Sequence, residues 1–137
     1  MEDRYLFKAK RIDNGEWVQG ALLDGESHCL IGQEIKFSPY IEHECKIVGY
    51  EVDRNTICQC TGLKDRNGKL IWENDIVEDE KGNLYKAFWQ SNYYQFSWVC
   101  VKSEIFLIGT KWDLWSIRSY EIEVIGSIFD NKELLES

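Results

Sequence analysis

At 137 residues, 44% hydrophobic and 14% aromatic, the chain is long enough for one domain, or two small lobes, with an apolar interior and no disulfide staples. Sixteen Lys and Arg against 24 Asp and Glu leave a formal charge of −8, with 7 basic and 11 acidic residues in 1–60 and 9 and 13 in 61–137. Without a basic run to displace counterions from phosphates, general nucleic-acid binding is not expected, and without an apolar stretch near the ~18 residues of a span, neither is membrane insertion. No apolar run follows the charged opening MEDRYLFKAKR, so no signal peptide is expected either. The five cysteines, Cys29, Cys45, Cys58, Cys60 and Cys100, are then reduced cytoplasmic thiols.

The hydrophobic period along the chain is mostly two, and no segment carries a convincing helical stripe, which makes the fold mainly β. Tyr5, Phe7 and Ala9 alternate with charged residues, and the turn Asp13-Asn14-Gly15 leads into Trp17–Leu23, so the chain opens with a β-hairpin. Further strands are predicted over 28–31, 46–52, 56–60, 70–72, 75–79, 84–90, 94–101, 105–108 and 120–129. The stretch Glu34–Cys45 reads as a variable loop. Asp65 and Asn67-Gly68 supply the residues that tolerate a left-handed backbone, so the chain reverses tightly between Leu63 and Leu70. In Tyr120–Phe129, Ile122, Val124 and Ile128 fall on one face, with Gly126 permitting a bend. Asp130 and Glu133 then resemble a helix cap with its reciprocal partner, ahead of Leu134 and Leu135.

Two blocks carry a family resemblance. Thr61-Gly62-Leu63-Lys64-Asp65, Asn67-Gly68-Lys69, Ile71, Glu73 and Asp75-Ile76-Val77 resemble the hallmark segment of the YopX family of bacteriophage and prophage proteins. Glu121–Ile128, continuing through Phe129-Asp130-Asn131 to Glu133-Leu134-Leu135, is similar to the closing strand and tail of that family. Where the family word usually has Gly, this chain has Asn74, the residue best able to replace Gly at positive φ. The resemblance implies one YopX-like domain over 1–137: a β lobe with the opening hairpin over 1–72, an SH3-like barrel over 73–129 sharing its core, and a short tail over 130–137. It also implies a phage or prophage accessory role in the host cytoplasm, and no particular chemistry.

Among chemical candidates, Asp65, Glu73 and Asp75 lie close in sequence and would suit a metal-assisted hydrolase or nuclease if they converged. Their turn and strand-opening positions favour a structural role, as do those of Thr61, Gly62, Leu63, Asn67, Gly68 and Gly126. His43 with Cys45, and Cys58 with Cys60, each place two soft ligands on one face of an extended strand, a spacing that fits zinc only loosely. Buried thiols acting as small hydrophobes are the better reading, so no metal and no cofactor are expected. No phosphate-binding glycine loop or nucleophile motif is present.

The run from Phe88 to Trp115 holds nine aromatic residues, more than a small barrel interior needs. Trp112 and Trp115 stand in a stretch with turn chemistry at both ends, and two displayed indoles point to burial against a protein partner or a second copy. A non-enzymatic binding or self-associating module therefore leads. The carboxylate hydrolase stands second. An acidic DNA mimic stands third, because lysines are mixed among the acids.

Overall fold

The computed structural model of the chain describes residues 5–37 and 45–135, with the side chains of 34–37 and 45–47 outside that description. Two compact units divide it, Met1–Gln59 and Cys60–Ser137. The fold is mainly β, and among the described residues all strand pairs are antiparallel and the helical pieces are single 3₁₀ turns.

The first unit is a meander. Strands β1 (Phe7–Lys10), β2 (Trp17–Asp24), β3 (Cys29–Phe37) and β4 (Cys45–Glu51) pair in sequence order. The opening hairpin forms as expected: Gly15 takes φ 73°, Asn14 Oδ1 accepts from Glu16 N at 2.9 Å, and Phe7 to Lys10 face Gly20 to Trp17. Strand β2 then changes partner at Gly20, because Ala21–Asp24 pair with β3. A Cβ on Gly20 would run into the carbonyl of Gly32, so only glycine lets these strands approach so closely. Glu34–Phe37, expected in a loop, instead pair with Val48–Cys45. Ala9, Cys29, Ile31 and Val52 are buried together, with Phe7, Val18, Leu22 and Ile57 packed against them.

Strand β5 (Cys58–Lys64) is shared out by its register: Gln59 and Cys58 pair with β1, whereas Cys60 and Lys64 pair with β6 (Leu70–Trp72). The division between units thus falls at 59/60, not at the expected 72/73. Packing accounts for the difference, because Ile71 is fully buried with Val77, Tyr85, Ala87, Trp98, Cys100 and Ile122, and Leu63 covers them. Among the described residues, each of the two clusters of buried hydrophobics lies within one unit.

The second unit adds β7 (Asp75–Glu78), β8 (Leu84–Gln90), β9 (Gln95–Lys102), β10 (Lys111–Asp113) and β11 (Glu123–Ser127) in the order β10-β9-β8-β7-β11. Where an SH3-like barrel was expected, this sheet is open, with β10 and β11 as its edges. Three residues of β10 and a bulge in β11 leave little strand for closure. The bulge lies between Val124, opposite Val77, and Gly126, opposite Ile76, so Ile125 is the extra residue. Ile122 is fully buried just before this strand, while Val124 and Ile128 are half-buried. In the tail, Asn131 Oδ1 accepts from Ser127 N at 3.1 Å and fills the space above Gly126, where a Cβ would collide with it.

Candidate functional site

The hydrogen bonds of the Thr61–Asp75 segment build structure. Thr61 is buried, donates through Oγ1 to Ile71 O at 2.7 Å and accepts from Leu63 N at 3.2 Å. Gly62, at φ 86°, sits where the β5–β6 register shifts. Asp65 opens a turn in which Gly68 takes φ 81°. One carboxylate oxygen, Oδ1, accepts from Asn67 N and Lys69 N at 2.9 Å, and Oδ2 accepts from Val124 N, also at 2.9 Å, at the edge strand β11. Burial pushes this carboxyl pKa upward, but the backbone N–H groups of Val124, Lys69 and Asn67 outweigh it, and the net shift is downward. Around this clamp, Arg66 and Asn67 both reach the Glu123 carboxylate, at 2.5 and 3.2 Å. In the next turn Asn74 adopts φ 71°, as its replacement of Gly implies, and buried Asp75 accepts from Trp72 N at 2.8 Å. Glu73, just before Asn74 in the chain, is half-buried.

Asp65 and Asp75 thus serve separate turns. Among the described residues, no three His, Cys, Asp or Glu side chains come together in a metal-binding group. Cys58 and Cys60 are buried thiols outside any disulfide, directed at the carbonyls of Thr56 and Ile71. His43 and the Cys45 side chain lie outside the described residues, and with them the four-ligand zinc arrangement. No helix among the described residues is long and apolar enough to cross a membrane.

A second Asp turn spans Lys81-Gly82-Asn83, where the sequence places a glycine turn, although the part played by Asp79 was not read there. Asp79-Glu80-Lys81-Gly82-Asn83 repeats Asp65-Arg66-Asn67-Gly68-Lys69, with Gly82 at φ 84° and Oδ1 accepting from Lys81 N and Asn83 N at 2.9 Å. The common Asp-x-x-Gly-x spacing was the available signal. Here Oδ2 accepts from Asn83 Nδ2 and from the Tyr85 hydroxyl, both at 2.9 Å. Burial acts first on Asp79, raising its pKa, and the Asn83, Tyr85 and Lys81 donors reverse that to a net lowering. Burial, followed by the Asp79 carboxylate, moves the Tyr85 phenol well above its ordinary 10.0.

This second turn continues into an apolar part of the surface. Asn83 Oδ1 accepts from Ser103 Oγ at 2.6 Å, and Ser103 Oγ accepts from Ile105 N at 3.0 Å and Phe106 N at 2.9 Å. At the far end, Gly109 N donates to Cys100 O and Cys100 N to Thr110 O, both at 2.8 Å. The segment from Ser103 to Thr110 is therefore fixed at both ends. It is a loop, not the strand expected over 105–108. Phe106 packs edge-on against Trp112, while Ile105, Leu107 and Ile108 are 64%, 83% and 69% exposed.

Trp112, expected in a displayed loop, instead lies in β10 opposite Trp98, half-buried, with Tyr85 edge-on to its ring at 5.4 Å. Trp115 is 77% exposed in the 3₁₀ turn Leu114–Ser116. The buried Trp98 indole positions that turn by donating from Nε1 to Leu114 O at 2.9 Å. Two clefts adjoin this 3₁₀ turn. One, of about 340 Å³, runs from Asp79 and Tyr85 past Phe106 and Trp112 to Ile117 and Arg118. The other, of about 310 Å³, is walled by Leu63, Leu114, Trp115, Ile117 and Tyr120, with Arg118 as its one charged residue.

The sequence profile of the YopX protein family matches residues 6–136. The chain belongs to that family. Among solved structures it is similar to the crystal structure of protein EF1440 from Enterococcus faecalis, with 26% identity and a TM-score of 0.63, over 95% of this chain and 96% of that one. No curated protein matches it. In this YopX family member, the hallmark residues therefore occupy the Asp65 and Asn74 turns, and the exposed apolar loop lies outside both motif blocks.

Proposed function

We propose that this chain is a non-enzymatic accessory module of a phage or prophage that acts in the host cytoplasm by docking a protein partner or a second copy of itself. The observation that carries the reading is the Ser103–Thr110 loop, whose Ile105, Leu107 and Ile108 stand 64–83% exposed on a backbone held at both ends. Water-facing apolar side chains in a contiguous group mark interaction surfaces, and a pre-ordered loop loses little entropy when it binds. The exposed Trp115 and Tyr120 extend the apolar area, and aromatic residues of this kind commonly anchor interfaces. Against a hydrolase stands the engagement of Asp65 and Asp75 with backbone N–H groups in separate turns.

Affinity capture from host cells tests this, with the wild-type chain compared with a Leu107→Asp, Trp115→Ser double variant, alongside sedimentation of both. The expected result is a partner, or an oligomer, held by the wild type and lost by a variant with unchanged β spectrum and melting temperature. Identical capture and sedimentation for both proteins would overturn the reading.

A further inference from the structure

We infer that the occupant of the apolar cleft at Trp115 is the Ser103–Thr110 loop of a second copy of this chain, exchanged reciprocally in a two-fold dimer. The inference rests on the protein-binding reading above and names the partner. Its basis is that one unit carries both halves of a complementary pair. The loop, Ser-Glu-Ile-Phe-Leu-Ile-Gly-Thr, contains one charged residue, Glu104, followed by four apolar ones. The cleft formed by Leu63, Leu114, Trp115, Ile117, Ser119 and Tyr120 contains one charged residue, Arg118. An anion beside aliphatic side chains thus matches a cation beside apolar walls.

Neither half is satisfied within its own chain. Leu107 is 83% exposed and Trp115 77% exposed, and among the described residues Arg118 has only a long 3.6 Å ion pair with Glu121 in water. Such an exposed ion pair contributes little, so little is lost when Arg118 takes another partner. The arrangement also favours reciprocity. Phe106, at the loop, lines one cleft together with Ile117 and Arg118, and those same two residues line the Trp115 cleft. Loop and cleft are therefore neighbours around one short segment, so a two-fold axis beside it would seat both loops at once. Reciprocal exchange buries twice the area of a single insertion and closes the assembly at two copies, whereas one-way insertion would continue into a larger ring or a filament.

Charge reversal provides the test, read by sedimentation velocity over a wide concentration range. Wild type is expected to be a dimer with no larger species. Glu104→Arg alone sets two guanidinium groups against each other at both contacts, and Arg118→Glu alone sets two carboxylates against each other there, so each raises the dimer Kd about tenfold or more. An equimolar mixture of the two variants restores an opposite-charge pair and should return a heterodimer in which one contact pairs the unaltered Glu104 with the unaltered Arg118 and the other carries the same pair with its charges exchanged. Its Kd should lie within a few-fold of wild type. Glu121→Gln, which removes only the exposed intrachain pair, should leave dimerisation unchanged. The inference is overturned if wild type is monomeric throughout, if either reversal dimerises as wild type does, or if the mixture fails to recover. A monomer that still captures a partner through Leu107 and Trp115 would sink the dimer and leave the binding function standing. Loss of both would sink the two together.

Discussion

Asp65 and Asp79 open turns of the same construction, yet the two turns hold different parts of the protein. In each, one carboxylate oxygen gathers the N–H groups two and four residues ahead, and a glycine three residues ahead takes the left-handed backbone. The difference lies in the second oxygen. That of Asp65 crosses to Val124 and secures the edge strand β11, 59 residues away in sequence. That of Asp79 holds the Tyr85 hydroxyl and Asn83, and Asn83 passes the connection to Ser103 and the apolar loop. One turn supports the fold, and the other also supports a displayed surface. Local sequence specifies how such a turn closes, while the tertiary neighbour decides what it is for.

The sharpest way to break the comparison is Asp65→Ala. It strips the partly buried Val124 N of its carboxylate partner as well as opening the turn, and a donor left unpaired costs up to about 1–3 kcal/mol before the turn itself is counted. A loss of about 3 kcal/mol is expected in urea unfolding. Asp79→Ala should cost less, about 2 kcal/mol, because the Tyr85 hydroxyl lies near a cleft that admits water. A separate signature distinguishes the second turn: Asp79→Asn should lower the Tyr85 titration, followed by phenolate absorbance, while Asp65→Asn leaves it in place. Equal responses of Tyr85 to both changes would mean that the two turns are not independent.

Acid provides a gentler probe of the same carboxylates. Both have pKa values lowered from 3.8 in the folded chain, so each favours folding above the unfolded value and loses that contribution as pH falls through the folded one. Stability linked to these groups should be constant above about pH 5 and decline below about pH 4, with a smaller total loss than alanine substitution, since a protonated carboxyl still accepts hydrogen bonds. Asp65→Asn and Asp79→Asn should each flatten part of that decline in melts across the acid range. An acid limb unchanged in both variants would assign it to other groups.

Much of this was legible in the residues. Strands at Leu70–Trp72 and Leu84–Gln90 begin and end where alternation and turn residues place them. The turn at Asn67-Gly68 and the positive φ at Asn74 follow from local chemistry. What sequence misplaced was set by distant partners. Ile105–Ile108 is apolar enough for a strand, but β9 takes Lys111–Asp113 as its neighbour, and the run before it is left projecting. Trp112 gained burial from that pairing, while Trp115, three residues on, did not. The boundary at 59/60 was hidden because it falls inside one strand, β5, where no loop composition marks it. The clefts were equally hidden, since Leu63 meets Trp115 and Tyr120 only through the fold.

The smallest expected change in stability is the most informative about display. Ser103→Ala removes one hydroxyl that donates to Asn83 Oδ1 and accepts from two loop amides, leaving the sheet and the Asp79–Tyr85 bond untouched. Because those amides are exposed and water can replace the lost acceptor, the unfolding free energy should fall by less than about 1 kcal/mol. Order in the loop should fall much further. Amide exchange at Ile105 and Phe106 should accelerate toward that of an open chain, while exchange at Val99 and in β8 stays at the wild-type rate. Binding through the loop should weaken mainly by faster dissociation or a larger ordering cost, because the apolar side chains are all still present. If Ser103→Ala leaves loop exchange unchanged, Ser103 does not transmit order from the Asp79 turn, and the two Asp turns differ only in the strands they hold. If it accelerates exchange without affecting binding, the loop orders on its partner at no net cost, and its rigidity belongs to the fold alone.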